Sequence, residues 1–130
     1  MHRSRLSALM IDCHHTTMDD GVRFWSQALG GTIQSPEAPG NPYVGLTGLG
    51  GGLQVSLQRI GSQHRLHLDI ETDNVEAEVE RLEKLGARRH ENVNNWWVME
   101  APSGHLFCVV PVHSNDFLAQ ASVWEAPPTP

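Results

Sequence analysis

The stretch RLHLDIETDNVEAEVERLEKLGARR, residues 65–89, changes period part-way through. Its first third alternates apolar and polar residues, which predicts a strand. Val75, Val79, Leu82 and Leu85 then recur at helical spacing, and Gly86 ends the run. Asp73 followed by Glu76 reads as a capping-box start to that helix. In the strand, His67 and Asp69 share one face, while Leu66, Leu68 and Ile70 share the other. The apolar three are expected under a helix, which leaves His67 and Asp69 for a pocket.

The same grammar lies upstream. LSALMIDC (6–13) reads as a strand. Thr17 is a candidate N-cap, with Asp19 and Asp20 in the first turn. Met18, Val22, Trp25 and Leu29 form a helical stripe that Gly30 and Gly31 stop. GTIQ is a short strand, and SPEAPGNP (35–42) a loop. YVGLTG and LQVSLQRI are two strands joined by the glycine turn 50–52. Beyond residue 89 come a strand in ARRHENV, a turn at Asn94-Asn95, the strand WWVMEA, a turn at PSG and the apolar strand HLFCVVPV (105–112). The helix endings ALGGTI and KLGARR lie about 56 residues apart, so one supersecondary unit occurs twice. The expected class is α+β, with a helix on one face of each sheet and the opposite faces around a cleft.

Composition narrows the function classes. Charged residues are 18% and apolar ones 39%, which suits a globular domain rather than disorder. Only nine Lys and Arg stand against a net charge of -6, and no basic stripe points to nucleic acid. No apolar run approaches the roughly 20 residues of a membrane span, and MHRSRLSALMIDC lacks a signal-peptide core. Cys13 and Cys108 sit in strands without framework spacing, and are expected to be free buried thiols of a cytoplasmic protein. The closing APPTP is expected to be a loose tail.

RFWSQALGGTI, HLDIETDNVEAEVERLEKLGARR and APSGHLFCVVPV resemble the vicinal-oxygen-chelate superfamily, in its glyoxalase-like branch. That superfamily holds glyoxalase I, extradiol dioxygenases, and fosfomycin and bleomycin resistance proteins. The resemblance implies two βαβββ modules forming a cup-shaped mixed sheet with the helices outside. By it, residues 1–5 are an extension, 6–112 one domain (modules about 6–60 and 64–112), and 113–130 a C-terminal tail. Metal-dependent members hold a divalent ion with up to four His, Gln or Glu side chains. Carried over, those places fall on Met10, Ser56, His67 and Cys108, and only His67 is a family-type ligand. A hard ion wants oxygen donors and a soft one several thiolates or imidazoles. No cofactor is therefore expected, and a divalent metal is the disfavoured alternative.

The candidate catalytic residues are His67, Asp69 and Asp12. An imidazole suits proton transfer near neutral pH, and a carboxylate in an apolar strand needs a partner. Each has a plainer reading, as a pocket-lining histidine or as an acid meeting an arginine or a loop amide. Met10, His14, Gln54, Ser56, Trp97 and Cys108 are candidate ligand-binding residues. Of the Trp96-Trp97 pair, one is expected in the core and one able to stack on a planar ligand. The function expected is binding of a small organic molecule by a homodimer. Metal-independent isomerase, lyase or hydratase chemistry could accompany it. The rivals are a non-catalytic sequestering protein of the bleomycin-resistance type and a metal-dependent lyase or dioxygenase.

Overall fold

Strand β1 (His2–His14) is followed by helix α1 (Met18–Leu29) and strands β2 (Thr32–Gln34), β3 (Tyr43–Thr47) and β4 (Gln54–Ile60). The order then repeats as β5 (Arg65–Thr72), α2 (Val75–Lys84), β6 (Arg88–Val93), β7 (Trp96–Glu100) and β8 (Leu106–Pro111). A short helix α3 (Phe117–Gln120) and strand β9 (Ser122–Trp124) close the chain. The structure, a computed structural model, describes residues 1–34, 38–49, 53–62 and 65–125. The start of the loop expected at 35–42, the glycine turn 50–52 and the APPTP tail lie outside the described residues. The βαβββ order thus occurs twice, in an α+β protein of mixed strands. Two units are distinct, one of Ala8–His67 and one of Met1–Ser7 with Leu68 onward, called here the α1 unit and the α2 unit.

In the α1 unit the strand order is β2-β3-β4-β1-β5, with β1 parallel to β4 and the hairpin strands antiparallel. Ile11 and Cys13 alternate with Met10 and Asp12 along β1, so the first pair packs with Leu46, Val55, Leu57 and Met18 under α1. The helix comes down hard on β1 at Gly21, where a Cβ would sit 3.1 Å from Cys13 Sγ. Val22 and Trp25 pack against this core as their spacing predicts, but Leu29 is exposed at the last turn. Thr17 marks the start of the helix without capping it. Its backbone is not extended as a cap requires, and its hydroxyl donates to the His14 carbonyl at 3.3 Å.

In the α2 unit the order is β9-β1-β5-β8-β7-β6, with β5 parallel to β8. Val79 and Leu82 pack with Ala87, Met99, Val109 and Ile70. The cap of α2 is Asn74, whose side chain accepts from the Ala77 N–H at 3.0 Å, rather than Asp73. Asp73 is engaged elsewhere, taking the Arg3 N–H at 2.7 Å. Leu66 and Leu68, expected beneath a helix, are 61% and 45% exposed. The ten residues of α2 lie over β8, β6 and β7, so of the three alternating residues only Ile70 reaches its core. Leu85 is exposed as well, one residue past the helix.

The two ends depart from expectation. β1 begins at His2, within the stretch read as an extension, and residues 113–125 are a built strap rather than a tail. β9 pairs antiparallel with the start of β1, Phe117 is 4% exposed, and Arg5 holds Asp116 at 2.9 Å. Behind the strap's contacts lies Glu78 of α2, wholly buried. It accepts from Arg81 at 2.7 and 2.9 Å and lies 2.9 Å from His2 Nε2. Arg81 lies 3.8 Å from the Trp124 ring, and Trp124 donates to Ser4 at 2.8 Å. Burial opposes ionisation of Glu78, but hydrogen bonds from Arg81, Ser4 and His2 outweigh it and hold the carboxyl below its usual value.

Candidate functional site

The face of the α1 unit turned away from the helix carries the even residues of β1 and β4. Met10 stands opposite Ser56 and Asp12 opposite Gln58, and Gln58 in turn faces Tyr43 on β3. Met10 and Ser56 are buried, and Gln54 donates to the Ser56 hydroxyl at 3.1 Å. Asp12 is fully buried, at 0% exposure. Its Oδ2 accepts from His67 Nδ1 at 2.6 Å and from Arg65 Nε at 3.0 Å, both on β5. Its Oδ1, equally buried, has no hydrogen-bond partner among the described residues.

This arrangement has a definite chemistry. A carboxylate only accepts, so His67 Nδ1 carries the proton it shares with Asp12. The bond fixes the ring and its tautomer, so any proton transfer by His67 runs through Nε2. Two donors on one oxygen offset the cost of burying the acid. The neighbouring Cys13 faces the other way. Burial pushes its thiol up, and the Asp12 charge adds to the shift, so it is an inert core thiol.

The remaining expected residues fall in several places. His14 ends β1, takes the Thr16 N–H on Nδ1 at 3.2 Å and stacks on His15 at 4.1 Å. In the α2 unit, Asp69 pairs in register with Cys108, on the face opposite Ile70 and Val109. Trp97 lies on the α2 side, packed against the core and with Arg89 5.0 Å from its ring. Two groups escaped the sequence reading. Glu71, wholly buried, accepts from the Ser114 hydroxyl and from the His113 N–H at 3.3 Å. His113 Nε2 is 3.2 Å from Glu71 Oε2 and 3.1 Å from Ser7 Oγ. The alternation His67, Asp69, Glu71 could have flagged Glu71, but nothing in the sequence marks His113 as its partner.

A cavity of about 510 Å³ opens on the α1 side of the same unit. Ile11, Phe24, Trp25 and Leu66 line it together with Asp12 and Arg65, and His67 is not among its walls. Phe24 and Trp25 meet edge-to-face at 5.0 Å.

The doubled βαβββ order is the one expected of the vicinal-oxygen-chelate superfamily. A family model described as a glyoxalase-like domain matches residues 8–110, and the chain belongs to that family. No curated protein matches the sequence. Among solved structures, a hypothetical protein of Bacillus halodurans C-125 is similar at 12% identity, with 86% of this chain and 96% of that one covered and a TM-score of 0.62. Methylmalonyl-CoA epimerase from Mycobacterium tuberculosis is similar at 15% identity, 88% and 90% coverage and a TM-score of 0.56. So is 2,2',3-trihydroxybiphenyl 1,2-dioxygenase from Sphingomonas wittichii strain RW1, at 14% identity, 86% and 42% coverage and a TM-score of 0.55. At these identities the likeness is one of fold.

The family's ion places can be tested against the donors present. In the α1 unit they carry a thioether at Met10, a hydroxyl at Ser56 and an imidazole at His67 whose Nδ1 is already bound to Asp12. The remaining place, Cys108 in the α2 unit, brings a thiol. These donors do not fit a hard divalent ion, which takes carboxylate and carbonyl oxygens.

Proposed function

We propose that this protein binds a small organic molecule against the Asp12–His67 face and moves a proton on it without a metal, as an isomerase, lyase or hydratase. The observation that carries the reading is the 2.6 Å bond from His67 Nδ1 to the buried Asp12 carboxylate. In the proposed step His67 Nε2 takes a proton from a carbon beside a carbonyl, and the electron pair moves to the carbonyl oxygen. Asp12 keeps the Nδ1 hydrogen bond and supports the imidazolium that forms; the imidazolium returns the proton to the same carbon in an isomerase, or gives it to the group that leaves the adjacent carbon with its electron pair in a lyase or hydratase. A positioned base of this kind contributes about 10²–10⁴-fold. Several fold neighbours bear the name methylmalonyl-CoA epimerase, one of them in complex with 2-nitronate-propionyl-CoA. That agrees with the proposal at the level of fold, and the pair in this chain is what supports the chemistry.

The test is solvent-deuterium incorporation into a panel of small carbonyl compounds, followed by NMR. His67→Gln should abolish exchange that the wild type catalyses, and Asp12→Asn should slow it by at least about tenfold. Saturable binding with no exchange by any panel member would favour the sequestering rival instead.

Metal independence belongs to the same proposal and rests on the donor chemistry above. Protein grown with Zn, Mn, Ni and Fe should carry well below one equivalent of any of them. Zinc is assayed first, because a carboxylate and a thiol, as in Asp69 and Cys108, are donor types it accepts. One stoichiometric ion, removed by a chelator together with activity, would establish the metal-dependent rival. We also propose a homodimer with an isologous contact, checked by light scattering at micromolar concentration. A reducing cytoplasmic setting completes the proposal, supported by two thiols left unpaired. No helix among the described residues is long and apolar enough to cross a membrane.

A further inference from the structure

The pairing register sets a polar row across the α1 unit: Tyr43 beside Gln58, Gln58 beside Asp12, and Asp12 bonded to Arg65. His67 follows Arg65 by two residues on β5 and is bonded to the same Asp12 oxygen, so guanidinium and imidazole are neighbours on one face. Arg65 reaches Asp12 through Nε alone, and its side chain is 53% exposed. Its terminal nitrogens make no hydrogen bond among the described residues. The unit has two other arginines, and both are occupied elsewhere. Arg23 pairs with Asp20 on the surface of α1, and Arg59 reaches Asp19 and the His15 carbonyl.

From this geometry we infer that Arg65 is the anchor for an anionic group on the ligand, so that the substrates are small organic anions held by a carboxylate or phosphate beside His67. The inference deepens the proton-transfer reading above and rests on it for the word substrate, though not for the binding itself. A guanidinium presents donors in a planar fork that matches two oxygens of a carboxylate or phosphate. One edge of this fork is pinned to a buried acid, which holds the remaining donors in place before a ligand arrives. The Asp12 charge does not disqualify the site, because an arginine serves two carboxylates elsewhere in this chain. Arg89 binds both Glu76, at 2.6 Å, and Glu83, at 3.1 Å. With a net charge of -6 the protein repels anions at large, so an anionic ligand needs a local cation. Arg65 is that cation on the dyad's face. Gln58, beside Asp12 in register, donates one amide hydrogen to the Tyr43 hydroxyl at 3.3 Å and offers its second N–H or its carbonyl oxygen to an oxo or hydroxyl group of the same ligand.

Binding tests this without knowledge of the natural ligand. Isotope-labelled full-length protein is titrated with malonate, with inorganic phosphate and with dimethyl malonate, while the side-chain N–H signals of arginine and the His67 ring are followed by NMR. Malonate should saturate, shift the Arg65 Nε–H signal and bind at least about tenfold more tightly than its neutral ester, a difference of about 1.4 kcal/mol. Phosphate competing with malonate at equal or greater affinity would assign the group as phosphate, and weaker binding would assign it as carboxylate. Arg65→Gln, which keeps a donor toward Asp12, should weaken malonate by at least about tenfold. Arg65→Lys should fall between, since it keeps the charge and loses the fork. Arg23→Gln, a charge removal of the same kind on the surface of α1, should stay within about threefold of the wild type. Equal binding of acid and ester, undiminished binding by a folded Arg65→Gln protein, loss of binding in Arg23→Gln as large as in Arg65→Gln, or no saturable binding of either anion would each overturn the assignment. Arg65-dependent binding without deuterium exchange would sink the catalytic reading and leave this one standing. Exchange without Arg65 dependence would do the reverse.

Discussion

Replacing Glu78 by alanine removes a fully buried carboxylate of α2 and leaves the Arg81 guanidinium and the His2 ring without their partner. Glu78 takes a two-pronged bond from Arg81 and lies against His2, while Arg81 is stacked on Trp124. Breaking a buried pair by removing one partner costs about 3–5 kcal/mol. The Arg81 side chain is 24% exposed and regains some water in the variant, so the expected loss is lower, about 2–4 kcal/mol. With a urea m-value of about 2 kcal/mol/M this moves the midpoint down by about 1–2 M at pH 7. The pH dependence gives the sharper test. The folded-state carboxyl titrates below its unfolded value of about 4.3, so its contribution is fully present above that pH. It is lost as pH falls through the lowered folded value. The gap between wild type and Glu78→Ala should therefore be constant from about pH 6 to 8 and shrink toward pH 3. Urea titrations monitored by tryptophan fluorescence, with Trp124 as a local reporter, measure it. A gap under about 0.5 kcal/mol at pH 7, or one that does not narrow in acid, would refute the argument that hydrogen bonding outweighs burial at this carboxylate.

Other perturbations test the packing. Leu82→Ala should cost about 2–5 kcal/mol, since Leu82 is 9% exposed within the α2 core, and chemical denaturation reads it directly. Phe117→Ala should cost about 3–5 kcal/mol, and a chain ending at residue 112 should lose native near-UV circular dichroism, because the strap is part of the α2 unit. A truncated chain of full stability would mean the strap is not packed as described. Gly21→Val should destabilise more than Gly21→Ala, as the larger side chain meets Cys13 Sγ and Leu57 under α1; equal melting of the two variants would put the helix farther from β1.

Much of this protein was legible in its linear order because the signals are local. The double recurrence of strand, helix and strands follows from hydrophobic period and glycine stops, and both helices form where these place them. The failures also have local causes. Asp73 looked like the cap until the Arg3 N–H claimed it, leaving Asn74 to cap α2. Leu66 and Leu68 looked buried because alternation gives a face, whereas the reach of α2 decides whether that face is covered. The strap was invisible, since its short elements carry almost no periodic signal and are stabilised by groups far away in sequence.

The sequence by itself determined which residue types could do chemistry, and that His67, Asp69 and Asp12 lie on strands. It did not choose among the partners of Asp12, since an arginine and a loop amide both remained open. Only the tertiary structure decided that Asp12 receives both Arg65 and His67. Periodicity fixes the direction of a side chain relative to its own strand. The distance between groups more than fifty residues apart is fixed by which strands become neighbours, here β1 and β5, and by their register.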